Sequence, residues 1–177
     1  MIRHRLLSTL FLSGFCIAPP SMAEEVETAN EVITMGEVEA IGIVEARWHY
    51  PARIDTGATT SSIHAEKVEA FERDGEDWVR FELVNPQEKG KAKVLEKRVV
   101  RVAEIKRHGA ESQKRYVVKL KARFAGREPV LEFSLADRSG YTYPLLVGRN
   151  LLRGAVVVDV SQKEVLKVKP FKKGGKK

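Results

Sequence analysis

One acidic residue of this chain, Asp55, stands in a setting that could do chemistry. It lies in the stretch "ARIDTGATTSSIHA" (52–65), where a short apolar approach precedes it and Gly57 follows it. A glycine at that place lets the backbone turn tightly, which would expose the carboxylate at the end of a strand while keeping it near backbone amides. An isolated Asp in a turn is usually only a turn former. The tetrapeptide Asp-Thr-Gly-Ala is rarer, and it makes Asp55 a candidate catalytic carboxylate.

A second motif, "YPLLVGRNLL" (143–152), follows about ninety residues later. An apolar run there meets Gly148, and "RNLLRG" (149–154) predicts a short helix that ends at Gly154. Together, the Asp-Thr-Gly-Ala tetrapeptide and this later motif resemble the signature pair of retropepsin-like aspartic proteases. In that fold the later apolar strand passes behind the catalytic loop, and the Gly-Arg-Asn triplet opens the single helix.

The resemblance extends over roughly residues 35–160. The stretches "RYVVKLKARF" and "FSLADRSGYTYPLLVGRNLL" are similar to a bacterial retropepsin-like family whose members are often labelled ATP-dependent zinc proteases. The residues do not support that label, because the chain has no H-E-x-x-H motif and no G-x-x-x-x-G-K-[ST] phosphate loop, and its four histidines lack helical ligand spacing. We therefore predict neither a metal site nor a cofactor.

The resemblance assigns roles to the residues of the first motif. Asp55 would be the catalytic residue, and Thr56 would form a hydrogen bond across a dimer beneath the paired carboxylates. Gly57 would orient its backbone toward the carboxylates and the substrate, and Ala58 would continue the active-site loop.

The second motif would support that loop through Gly148, Arg149 and Asn150. Arg149 would act as a structural ion-pair or hydrogen-bond donor rather than as a catalyst. The chain departs from the retroviral enzymes at Thr59 and Thr60, where those enzymes carry acidic residues. The usual carboxylate partner of the arginine is therefore missing at that place.

Aspartic peptidases need two carboxylates that share a proton, and this chain has one Asp-Thr-Gly triplet. Its other aspartates lack the motif, and Asp137-Arg138 is interpreted as a turn with a local ion pair. The predicted function is therefore an aspartic endopeptidase in which a homodimer supplies Asp55 twice and cleaves a peptide or protein substrate. The alternative is a non-catalytic envelope module that binds a peptide or a polyanion, which the departure at Thr59 and Thr60 and the lysine-rich end suggest.

Apolar residues recur mostly with a period of two, which is typical of strands. The pattern predicts an all-β fold, a retropepsin-like closed β-barrel with one short helix and one aspartic-protease lobe per chain. The segment "SSIHAEKVEAF" (61–71) fits either a helical turn or an irregular strand. Predicted strands cover 32–44, 77–84, 94–105, 115–124, 130–136, 143–148 and 155–160.

A hairpin at "KRHGAESQK" (106–114) is our candidate for a flap that covers the substrate. Its tip would consist of His108, Gly109 and Ala110. The polar loop 85–93 around Gly90 is the second choice.

The ends of the chain differ from its middle. A basic start, a short apolar run and the "SMA" ending at Ala23 predict a signal peptide at 1–23, and therefore a secreted protein of the bacterial periplasm. We predict an N-terminal extension at 24–34, the protease domain at 35–162, and a basic tail at 163–177 that is solvated. Cys16 is the only cysteine, so the mature chain would have none.

The net charge of +7 resides mainly in this tail, which holds seven lysines and one glutamate. Residues 24–162 contain 22 basic and 23 acidic residues. This near-neutral body argues against a nucleic-acid partner. The apolar run of the predicted signal peptide is too short to span a bilayer comfortably. We therefore predict no stable membrane insertion after the signal is removed.

Overall fold

A computed structural model describes residues 32–107 and 110–171, with the side chains at 106, 107, 110 and 111 left undescribed. The described chain is mostly β-structure with one short helix, as the sequence predicts. Within it, no helix has the length and apolar character needed to span a membrane. The elements are β1 Ile33–Gly36, β2 Val38–Ile43, β3 Trp48–Ile54, β4 Ser61–His64, β5 Glu66–Arg73, β6 Glu76–Val84, β7 Ala92–Arg107, β8 Ala110–Arg123, β9 Val130–Ala136, β10 Leu145–Val147, α1 Arg149–Leu152 and β11 Val156–Asp159.

Six strands form a closed ring in the order β2-β3-β10-β4-β9-β8. The ring closes where β2 pairs with β8, at Gly42 with Arg123 and Ile43 with Ala122. Closure leaves no free edge around the ring, and the inward side chains of the strands meet in one core. The predicted all-β class is confirmed. The closed part of the structure is a ring of six strands.

Buried and exposed side chains alternate along the ring strands. In β3, for example, Tyr50, Ala52 and Ile54 are buried while Arg53 is exposed. Successive side chains of a strand point to opposite faces, so this run can cover the core on one side only. Burial of Ile54 fixes the end of β3, immediately before Asp55.

The sheet continues beyond β8 through β7, β6 and β5. The first part of β7 pairs with β6, from Ala92 to Arg98, and its second part pairs with β8, from Val99 to Arg107. The outer part of the β7–β8 hairpin is therefore joined to the ring only through β8.

The ambiguous segment 61–71 forms two strands rather than a helical turn. Strand β4 lies in the ring between β10 and β9, whereas β5 pairs with β6 in the extension. The register shifts between Glu66 and Glu69, and Lys67 has a positive φ of 48°. Its partner strands decide this conformation, which explains why the local pattern was indecisive.

Two features lie outside the ring. Strands β1 and β11 form a separate parallel pair. Residues 163–171, which we expected to be solvated, run along the ring instead: Leu166 and Phe171 are partly buried, although most other side chains of the segment are exposed. The centroids of the Phe171 and His49 rings lie 4.7 Å apart. The guanidinium of Arg123 lies 4.0 Å from the centroid of the Phe171 ring.

Candidate active site

Asp55 directly follows β3, at the point where β10 runs parallel to that strand. Its backbone N–H donates to Val147 O at 2.9 Å, which anchors the start of the loop to β10. Asp55 is half-buried, while Thr56 and Gly57 are exposed. The loop therefore holds its carboxylate at the surface end of a strand whose preceding residue, Ile54, is in the core.

Backbone amides of the same loop orient the Asp55 carboxylate. Its Oδ1 accepts hydrogen bonds from Gly57 N–H at 2.8 Å and from Ala58 N–H at 3.2 Å. A Cβ added at Gly57 would lie 3.1 Å from the same oxygen, closer than side-chain carbons normally approach. Glycine suits this position because of that close approach.

The start of α1 packs directly behind the loop. Arg149 N–H donates to Ala58 O at 2.8 Å, and Asn150 N–H donates to Thr59 O at 3.2 Å. A Cβ added at Gly148 would meet backbone atoms of the loop, Ala58 O and Thr60 C, both at 2.9 Å. The loop and the helix thus approach each other more closely than any residue larger than glycine would allow at position 148.

The guanidinium of Arg149 binds the outer side of the loop. Its Nη1 donates to Thr56 O at 3.1 Å and to Gly57 O at 2.7 Å, and its Nη2 donates to the Thr59 hydroxyl at 2.9 Å. Thr59 therefore supplies an acceptor where the retroviral enzymes carry an acidic residue. The contact survives this departure as a set of hydrogen bonds to neutral groups.

Asn150 ties the helix to two strands of the ring. Its Oδ1 accepts from Ser61 N–H at 2.9 Å and from the Ser61 hydroxyl at 2.8 Å, while its Nδ2 donates to Glu132 O at 2.8 Å. The Ser61 hydroxyl also accepts from Gly148 N–H at 3.0 Å. One amide side chain thereby satisfies polar groups of β4 and β9 beneath the loop.

A cleft of about 720 Å³ lies between this loop and the β7–β8 hairpin, and we name it the hairpin cleft. Its volume is in the range of small-molecule and peptide-side-chain sites. Residues 58–60 line one side of it and residues 101–105 of β7 line the other. The remaining lining residues are Ser62, Arg115, Ser134, Arg138 and Leu146.

The candidate flap lies on this hairpin. His108 and Gly109 fall outside the described residues, and Ala110 begins β8, where its backbone pairs with Arg107. Among the described residues that line the cleft, none comes from the loop 85–93 around Gly90. The position of the cleft favours the hairpin as flap, which stays a prediction.

Sequence reasoning missed two arginines of the cleft. Arg101 donates from Nη2 to the Thr60 hydroxyl at 3.0 Å and forms an ion pair with Glu132. Arg138, which we interpreted as the partner of Asp137 in a turn, is buried, and it donates to Ser62 Oγ and Tyr143 O. Neither residue carries a local motif, and the contacts of Arg101 with Thr60 and of Arg138 with Ser62 join segments that are far apart in the chain.

The electrostatics of Arg138 reflect this position. Burial lowers the pKa of its guanidinium, and the positive charge of Arg115 acts in the same direction. Tyr141 and Asp55 oppose this effect and raise the pKa. Arg138 is thus electrostatically coupled to the Asp55 carboxylate, which we treat as the centre of the candidate site.

Curated proteins from other bacteria are similar in sequence to about three-fifths of this chain. A protein from Shewanella pealeana named "Probable alpha-L-glutamate ligase" is 39% identical over 113 residues, which are 63% of this chain and 24% of that protein. A protein of the same name from Desulfotalea psychrophila is 33% identical over 110 residues, 61% of this chain and 24% of its own length. The chain thus spans about a quarter of the length of these curated relatives.

The chain is also similar to a solved structure and matches a family model. The crystal structure of a Legionella pneumophila protein of unknown function superposes with a TM-score of 0.63 at 25% identity, covering 75% of this chain and 97% of that one. The family model described as "Retropepsin-like aspartic endopeptidase RimB" matches residues 34–169. Because this match spans the ring, the Asp55 loop and α1, the chain belongs to the RimB-like family of retropepsin-like proteins.

Proposed function

We propose that this protein is an aspartic endopeptidase whose catalytic dyad consists of Asp55 from each of two identical chains. The observation that carries the proposal is the Asp55 loop itself: one half-buried carboxylate, oriented by two backbone amides, beside the hairpin cleft. The family match to retropepsin-like endopeptidases supports the same conclusion.

The chemistry requires two carboxylates because each has a different task. One Asp55, ionised, would take a proton from the attacking water, while the other, protonated, would donate to the oxygen of the scissile carbonyl. Two carboxylates about 3 Å apart cannot both ionise, so the pair shares one proton. When the tetrahedral intermediate collapses, the Asp55 that took the proton from water gives it to the leaving amine. The other Asp55 takes a proton from a hydroxyl of the intermediate, which becomes the new carboxyl group, so the dyad again holds one shared proton.

Other aspartates of the chain are poor candidates for the second carboxylate. Asp137 is followed by Arg138 and Asp159 by Val160, so neither belongs to an Asp-Thr-Gly triplet like that of Asp55. Asp74 lies at the β5–β6 turn and Asp77 on β6, both in the extension of the sheet rather than in the ring. A second copy of Asp55 across a two-fold axis is the simplest source of the missing group.

A peptide that contains glutamate is the substrate class we favour. The curated relatives are named as probable α-L-glutamate ligases, and that name supports a substrate that contains glutamate. Three arginines line the hairpin cleft, Arg101, Arg115 and Arg138, against one carboxylate, Glu104, and Arg101 is paired with Glu132. The positive charge that remains at the cleft attracts an acidic substrate.

The test is the substitution Asp55→Asn, which keeps the size of the side chain but removes its ionisation. We expect cleavage of acidic peptides, followed by mass spectrometry, to fall by at least about a thousand-fold, as for loss of an essential general base. Asp77→Asn on β6, which is exposed, is the matched control and should cleave normally. Circular dichroism and the thermal midpoint should match those of the wild type for both variants.

Other results would support different functions. Cleavage that survives in Asp55→Asn and disappears with a chelator would assign the activity to a metal. Peptide binding without cleavage in both wild type and Asp55→Asn would favour the non-catalytic binding module. Either result would refute the aspartic mechanism.

A further inference from the structure

Arg138 is a buried arginine at the base of the hairpin cleft. It follows β9, is 8% exposed, and lies among the residues that line the cleft. Its Nε donates to Tyr143 O and its Nη1 donates to Ser62 Oγ, both at 3.1 Å. The guanidinium also lies 4.6 Å from the centre of the Tyr141 ring.

These contacts fix the orientation of Arg138 but do not neutralise it. Its hydrogen-bond acceptors, a carbonyl and a hydroxyl, are both neutral. Among the ion pairs of the described residues, none includes Arg138, whereas Arg101 in the same cleft is paired with Glu132. A buried cation without an anion within ion-pair distance is costly, and proteins normally pair such charges.

Candidate anions within the chain do not fill this role. Glu104 lines the same cleft, but its Oε1 accepts from the Ser112 hydroxyl at 2.8 Å and forms no ion pair with Arg138. Asp55 is coupled to Arg138 electrostatically, but it too lies beyond ion-pair distance. In the proposed dyad, moreover, the two Asp55 side chains share one proton and so carry a single negative charge between them.

We propose that Arg138 is a specificity-determining residue, which binds a side-chain carboxylate of the peptide that occupies the hairpin cleft. The proposal rests on the proposed endopeptidase function and adds to it the residue that reads the acidic side chain. Two hydrogen bonds, from Nε and Nη1, hold the guanidinium in one orientation at the cleft, and Nη2, which donates to no other described residue, is left for a ligand. A carboxylate bound there would gain a charge-assisted hydrogen bond, and an amide of the same shape would not.

The experiment compares two peptides that differ only by Glu or Gln at one position, with that position scanned along the peptide. We measure kcat/KM for the wild type, Arg138→Gln, Arg138→Lys and Arg98→Gln. At one position, the wild type should prefer Glu by about 10- to 100-fold, a typical effect for a desolvated charge pair. Arg138→Gln should bring that preference to within about three-fold of unity, mainly through a higher KM for the Glu peptide.

Arg98→Gln is the control for loss of one positive charge. Arg98 is exposed, pairs with Glu76 in the sheet extension, and is absent from the cleft lining. It should keep the wild-type preference for Glu. A purely structural role for Arg138 would lower activity on both peptides equally, and that result would overturn the proposal.

Arg138→Gln could lose its fold, because Arg138 also holds Ser62 and Tyr143. Arg138→Lys then decides: lysine keeps the charge but not the planar fork, so the preference should fall several-fold. An unchanged preference in a folded Arg138→Lys would refute the proposal.

The same peptides separate this proposal from the proposed function. If the wild type cleaves neither peptide, the endopeptidase function fails, and the ratio of their dissociation constants, measured by fluorescence anisotropy, tests Arg138 instead. Equal binding of the Glu and Gln peptides at every scanned position would overturn the role of Arg138.

Discussion

At the scale of single residues, the Asp55 loop is held by contacts that tolerate little change. Backbone amides of Gly57 and Ala58 bind the carboxylate, and Arg149 binds the carbonyls on the other side of the same turn. Thr59 contributes a hydroxyl instead of a carboxylate. The loop can therefore keep its shape with neutral partners for Arg149, since hydrogen bonds rather than a charge pair fix the geometry.

Gly148→Ala tests how closely the loop and α1 must approach. The added methyl would meet Ala58 O and Thr60 C, both backbone atoms that cannot rotate away. We expect a loss of about 1–3 kcal/mol in the free energy of unfolding, as for other overpacked sites. We also expect kcat/KM to fall by at least about ten-fold, because a displaced loop misplaces Asp55.

Urea unfolding and peptide cleavage measure these two effects. Gly140→Ala is the matched control, since a Cβ at Gly140 meets no atom within 4 Å. That variant should stay within about 0.5 kcal/mol of the wild type, as exposed substitutions usually do. A Gly148→Ala variant as stable and as active as the control would contradict the packing that we describe.

At the scale of elements, strand pairing decides where the cleft and the C-terminal segment lie. Residues of the β7–β8 hairpin line the cleft because β8 belongs to the ring and pairs with β7. On another side of the ring, the fully buried carboxylate of Glu39 holds residues 163–171. It accepts hydrogen bonds from the backbone N–H groups of Gly36, Val165 and Leu166 at 2.6, 3.1 and 3.1 Å.

Glu39→Gln tests the attachment of that segment. The new NH₂ group would face a backbone N–H, either that of Leu166 or those of Gly36 and Val165, and would leave it without an acceptor. We expect destabilisation of about 1–3 kcal/mol, the usual cost of losing a buried charge-assisted hydrogen bond. Hydrogen exchange at Val165 and Leu166 should accelerate.

Glu88→Gln provides the comparison for this substitution. Its carboxylate forms an exposed ion pair with Lys91, a type of pair that contributes at most about 1 kcal/mol. If Glu39→Gln unfolds at the same urea concentration as Glu88→Gln, the buried carboxylate does not hold the segment.

At the scale of the whole molecule, the proposed activity belongs to a pair of chains. One chain offers one Asp55, at a loop whose Thr56 and Gly57 are exposed and so accessible to a partner. The export predicted from residues 1–23, which lie outside the described residues, would place this pair in the periplasm. A fusion of residues 1–23 to a reporter that is active only after export can test that location.

Mixing wild type with Asp55→Asn tests whether the active unit contains two chains. If subunits exchange freely, equimolar mixing at constant total protein should leave about one quarter of the wild-type activity, because only dimers with two Asp55 are active. Independent monomers would leave about one half. Activity of about one half after complete exchange, checked by mass spectrometry of the mixed dimers, would exclude a shared dyad.

The sequence alone determined most of the strands, the short helix and the Asp55 loop, because each of these depends mainly on residues close together in the chain. It left 61–71 undecided, and it indicated β3 only through the strand end expected before Asp55. Period-two patterns predicted most strand positions, and 130–136 matches β9 residue for residue. "RNLLRG" predicted α1, which ends before Gly154 with its positive φ of 73°. The resemblance of the two motifs to a known family predicted that the start of α1 packs against the Asp55 loop.

Only the tertiary structure decided what surrounds the loop. The burial of Arg138 beside Ser62, the bond from Arg101 to Thr60 and the attachment of 163–171 through Glu39 each join segments between 41 and 127 positions apart. Strand pairing and packing against the ring create these contacts, because they bring together segments that the chain order separates. A local pattern cannot encode which distant group will satisfy a buried charge, and for Arg138 that group is the one we assign to the substrate.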